Sequence, residues 1–167
     1  MRRILILLTT CLMLLVGVSA PAGAHSEVTR PFAGTASGPV LFLPEGLPCP
    51  APPFLTTTVP SIPGTALHLG RITLFSQHCA ALGPFGPGTM TLVAANGDKL
   101  VFRYTGEGPL IPTPAFRVTS EATVIDGTGR FEDASGHMSM TGDLRLPQFP
   151  SFDGALITFH WTGHISY

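Results

Sequence analysis

The sequence predicts an all-β protein built from antiparallel strands. Three observations carry this. Residues 116–125, 137–146 and 155–167 alternate apolar with polar side chains at period two, the mark of half-buried strands. The 19 glycines and 17 prolines punctuate the chain too often for a 3.6-residue helical pattern to run. Asn96-Gly97 sits between two strand-like runs, 89–95 and 99–105, where a hairpin turn is expected. These patterns give five or six strands after residue 65 and one or two before it. A small sandwich and a closed barrel both accommodate that number.

In chain order, residues 1–24 read as a secretory signal peptide. Arg2-Arg3 precede an apolar run over 4–18, and Ala22-Gly23-Ala24 supplies a small-residue cleavage site. The run is shorter than the roughly 20 residues of a membrane-spanning helix, so no membrane association is expected after cleavage. Residues 25–64 form a proline-rich N-terminal segment. It holds a first strand within 28–40, and the run Phe54-Leu55-Thr56-Thr57-Thr58-Val59 suits a short edge strand. Residues 65–167 form the core of the fold. Within it, 66–77 reads as one long strand with a bulge at Gly70, because Leu67/Leu69 and Ile72/Leu74 have opposite parity. Asn96-Gly97 is expected in a type I′ turn, with φ > 0 at both positions. Loops are expected at 80–88, 106–114 and 147–153.

Composition narrows the function. Without the leader the chain has 143 residues, 7 basic and 10 acidic. That is one domain with a sizeable core. No cluster of Lys and Arg exists to neutralise phosphates, which argues against nucleic acid as a partner. Cys11 leaves with the leader, and Cys49 and Cys79 remain. An even count in an oxidising compartment reads as one disulfide closing a loop of about 30 residues.

No metal or cofactor site is read from the sequence. The set contains no HExxH, no CxxC pair and no calcium loop. His160 and His164 share a strand face but stand roughly 13 Å apart at 3.4 Å per residue. His25 would become the N-terminus after cleavage, where amine and imidazole can chelate copper, but that needs a second histidine supplied by the fold. Glu121 has the parity of the solvent face. The stretch 126–136 looks superficially like a phosphate loop, yet it lacks a lysine and opens no helix. It reads instead as a structural corner made by Gly127, Gly129, Arg130, Phe131 and Gly136. Phe131 is the expected plug of one end, and Arg130 is expected to clamp loop carbonyls or Asp126, Glu132 or Asp133.

Four stretches carry a resemblance: Leu69-Gly70-Arg71; 94–100 (AANGDKL); Gly127-Thr128-Gly129-Arg130-Phe131 with Ala134 and Gly136; and 161–167 (WTGHISY). Together they resemble a group of small exported bacterial proteins of unknown function. The glycine corner is also similar to that of plant allene oxide cyclases and dirigent proteins. The resemblance implies an antiparallel calycin-like barrel of about eight strands. It also implies an apolar interior, and in the cyclases a polar group that steers a reactive lipid. None of the cyclases' catalytic positions maps onto a residue of this chain.

Inward parity makes Phe102, Tyr104, Phe116, Met138, Met140, Phe159 and Trp161 the candidates to line the barrel. The expected partner is a small apolar ligand held there. The alternatives are an isomerase or cyclase of lipid-like substrates in the same space, and a packed module for structure or interaction. Interior volume separates them, since a site for a drug-sized ligand needs about 300 Å³.

Overall fold

The computed structural model describes residues 28–43, 49, 55–80 and 83–167. The expected leader, the residue His25 and its copper reading lie outside them. The strands are β1 (Thr29–Pro39), β2 (Leu41–Leu43), β3 (Leu55–Ala66), β4 (Gly70–Ala80), β5 (Pro84–Ala94), β6 (Lys99–Glu107), β7 (Ala115–Gly127), β8 (Ser135–Arg145) and β9 (Leu156–Ser166). A single 3-10 turn, Gly129–Phe131, joins β7 to β8.

From β3 to β9 each strand pairs antiparallel with the next, and β9 pairs with β1 over their whole length. Pairing of β1 residues 34–36 with β3 residues 64–66 closes the ring. Eight strands thus form a closed antiparallel barrel, the fold class expected from the sequence. Closure removes sheet edges, which an open sheet would have to protect against pairing with other chains. It needs close approach at the seam. A Cβ on Gly34 would overlap the Trp161 ring and the Thr65 carbonyl, so glycine is what lets β1 seat against both neighbours.

The N-terminal segment differs most from expectation. β1 and β3 are staves of the barrel, not edge strands, and β3 runs on to Ala66. Its prolines mislead because they suggest loop. Between Thr58 and Gly64, however, β3 is paired on one side only, and it bulges between Val59 and Ile62. Pro60 and Pro63 lie in that stretch, so a missing donor costs little ladder there.

Residues 66–77 are also not one strand. The chain reverses at 67–69, with His68 at φ +68° and Gly70 at φ +71°, and the hairpin closes at Ala66 opposite Gly70. The parity change was the trace of a turn, not of a bulge. The loop expected at 80–88 is shorter, since β5 begins at Pro84 and carries the cis Gly86–Pro87 bond in a bulge. The β5–β6 hairpin is present, but its turn is not type I′. Gly97 has φ +92° and Asn96 does not have positive φ. Gly97 N donates to the Ala94 carbonyl and Ala94 N to that of Asp98, a three-residue loop with one left-handed glycine. Asn96 works through its side chain, whose Oδ1 accepts from Asp98 N at 3.2 Å.

The two ends of the barrel differ. The turns at 67–69 and 95–98 and the corner at 128–134 close one end, where the last strand also finishes. The longer connections 108–114 and 146–155 stand at the other. At the closed end the interior is solid. Phe32, Leu100, Phe102, Met138, Trp161 and Ile165 are all fully or almost fully buried. Phe131 plugs this end as expected, fully buried, with its ring 4.8 Å from that of Tyr167.

Candidate functional site

The other half of the barrel is hollow. A cavity of about 350 Å³ opens at the end of the longer connections. This is within the size range of small-molecule sites. Of the sequence candidates, Tyr104, Phe116, Met140 and Phe159 line it, whereas Phe102, Met138 and Trp161 lie in the packed half. All seven belong to the hydrophobic interior. Trp161 Nε1 has no hydrogen-bond partner among the described residues, but Trp161 is not part of the cavity wall.

The wall has two chemistries. Val40, Phe42, Leu144, Phe152, Ile157 and Phe159 give an apolar side, built from β1–β2, β8, β9 and the connection before β9. Phe42 and Phe152 pack against each other with tilted rings, 4.6 Å between centroids. Ser76 and His78 on β4, Tyr104 on β6 and Ser120 on β7, together with Thr57 on β3, form a polar arc. Among the described residues the lining contains no Lys, Arg, Asp or Glu.

His78 and Tyr104 are the centre of the arc. His78 Nδ1 lies 2.6 Å from the Tyr104 hydroxyl. The pair spans β5 because that strand carries Gly88 between them. A Cβ there would come within 2.6 Å of Tyr104 Cζ and 2.7 Å of His78 Cβ. The Phe85 ring stacks on His78 at 4.7 Å and packs over Gly106. Burial lowers the His78 pKa to about 4, so the imidazole is neutral at pH 7. Burial raises the Tyr104 pKa, and its hydrogen bond with Ser76 offsets this in part. With the Ser76 hydroxyl donating to the phenol oxygen, the phenol proton is directed at His78 Nδ1. In that arrangement the imidazole proton is on Nε2, and the ring is tied to the protein through Nδ1.

Thr57 stands directly across the ladder from His78. Its Oγ1 is buried and has no partner among the described residues, a state that costs about 1–3 kcal/mol. Ser76, His78 and Thr57 were not among the sequence candidates. Parity was the available signal, since Ser76 and His78 continue the inward face of Ile72 and Leu74, and Thr57 that of Val59.

The corner is separate from this site. Arg130 donates to the His68 carbonyl, lies 3.7 Å from Asp98 and packs over the Phe131 ring at 4.8 Å. It clamps the corner as expected, though its carboxylate partner is Asp98 and not Asp126, Glu132 or Asp133. Gly129 has φ +62°, and a Cβ there would strike Asp98. Gly127 and Gly136 likewise leave no room for a side chain, against Phe131 and the β9 backbone.

Glu121 is exposed and accepts from Ser139 Oγ at 3.0 Å. His160 and His164 point outward, and His164 stands opposite His137 with 6.4 Å between rings. No group of three metal-ligating side chains occurs among the described residues. Cys49 and Cys79 form the disulfide beside the arc strands, with Cys49 Sγ 3.5 Å from Thr56 Oγ1. No helix among the described residues is long and apolar enough to cross a membrane. No family model and no curated protein sequence matches this chain.

Proposed function

We propose that the protein is a secreted barrel that binds a small apolar ligand in its hollow half. The cavity carries this reading: about 350 Å³, apolar on one side and closed below by packed aromatic and aliphatic side chains. An apolar cavity of about 150 Å³ holds benzene, so this one suits a body of about two to three rings. Export is supported by the leader-like residues 1–24 and by the disulfide. Kinship with the exported bacterial group and with the cyclase and dirigent barrels belongs to the same proposal. It rests on the glycine corner and on the eight-stranded closure.

The test is titration with N-phenyl-1-naphthylamine, a neutral fluorophore that brightens in apolar surroundings. Saturable one-to-one binding is expected, weakened at least tenfold in Val118→Trp, which fills the cavity. No brightening, or equal brightening in the variant, would count against the reading. An isomerase or cyclase is the second reading. It draws on the His78–Tyr104 pair, two buried titratable groups whose pKa values are pushed apart. Recovery of a product distinct from the compound supplied would move it ahead.

A further inference from the structure

Resting on the cavity reading above, we infer that the polar arc recognises one uncharged oxygen, a carbonyl or hydroxyl, on an otherwise apolar ligand. His78 Nε2 is the donor, and Thr57 stands beside it across the ladder.

Three observations on the site converge. The arc is built, not incidental: Gly88 makes room for the His78–Tyr104 hydrogen bond, and the Phe85 stack holds the imidazole plane. With the phenol donating to Nδ1, the imidazole N–H is Nε2, a neutral donor within the polar arc and opposite the apolar side of the wall. The Thr57 hydroxyl is a further polar group, and it lacks a partner among the described residues. Charge selects the class. Among the described residues no cation lines the cavity, and a neutral imidazole offers a carboxylate a hydrogen bond but no countercharge. A carboxylate buried there would lose its hydration without an opposite charge in return. An ammonium would meet no carboxylate among those residues. A neutral oxygen is matched by a neutral donor, and the rest of the ligand lies against the β8–β9 side.

The test is a shape-matched series: naphthalene, 2-naphthol and 2-naphthoate, each titrated calorimetrically into the disulfide-intact chain at pH 7. We expect 2-naphthol to bind about five- to tenfold more tightly than naphthalene, the worth of one hydrogen bond, and 2-naphthoate to bind at least tenfold more weakly than 2-naphthol. In His78→Phe the preference for naphthol over naphthalene should vanish. Equal binding of naphthalene and naphthol overturns the inference and leaves the cavity reading intact. So does tightest binding of naphthoate, or a preference that survives in His78→Phe. Failure of all three to bind the wild-type chain overturns the cavity reading and this inference with it. If His78→Phe does not fold, the wild-type ranking alone decides.

Discussion

His78 sets the chemistry of the cavity, and its burial leaves a measurable trace on stability. Its pKa falls from 6.5 to about 4 in the folded chain. Between those values the unfolded chain binds a proton that the folded chain does not, so stability drops as pH falls through this window. The drop amounts to about 3 kcal/mol and levels off below the folded pKa. Urea unfolding from pH 4 to 7 should therefore show a steeper pH dependence for wild type than for His78→Gln. Equal slopes would mean that the imidazole is not desolvated. At this scale the sequence was partly legible. The inward direction of Tyr104 followed from its alternation with Val101 and Arg103. Its partner did not, because His78 is 26 residues away and meets it only across the Gly88 gap. Strand parity places a side chain on a face, and partner choice needs the third dimension.

Among the elements, the corner between β7 and β8 is architecture. Arg130 ties it to the β3–β4 turn through the His68 carbonyl and to the β5–β6 hairpin through Asp98. Three of the closed-end connections are thus joined by one guanidinium. Arg130→Ala should lower stability by about 1–2 kcal/mol, read as a lower melting temperature, with N-phenyl-1-naphthylamine affinity unchanged. Lost affinity at unchanged melting would move the corner into the binding machinery. The glycine pattern made this corner legible, since each glycine answers a backbone approach that a side chain would block. The turn at 67–69 was not legible. A non-glycine residue, His68, takes the left-handed conformation there, so the usual punctuation is displaced to Gly70. β3 was masked by Pro60 and Pro63, whose cost depends on which strand side is paired, a property of the whole ring.

The whole molecule is a barrel with two interiors. The closed end is filled by Phe32, Phe102, Met138, Trp161 and the Phe131 plug, and the open end is hollow. Strand number and alternation predicted the ring. They could not predict the division, because alternating Met and aromatic residues suit a filled core and a cavity equally. What divides the interior is the distribution of bulk. Trp161 and Phe102 sit toward the corner, whereas small side chains and glycines (Ser76, Ala80, Gly83, Gly108, Ser120) face the lumen at the mouth. Residues 25–167 contain three methionines, Met90, Met138 and Met140. They report on the two halves separately. Met140 lines the cavity; Met90 and Met138 are buried and do not. Methyl NMR of methionine-labelled protein during titration with N-phenyl-1-naphthylamine is therefore the most direct test. The Met140 methyl should shift to saturation at one equivalent while those of Met90 and Met138 stay in place. Shifts at all three methyls, or none at Met140, would contradict a barrel packed at one end and open to a ligand at the other.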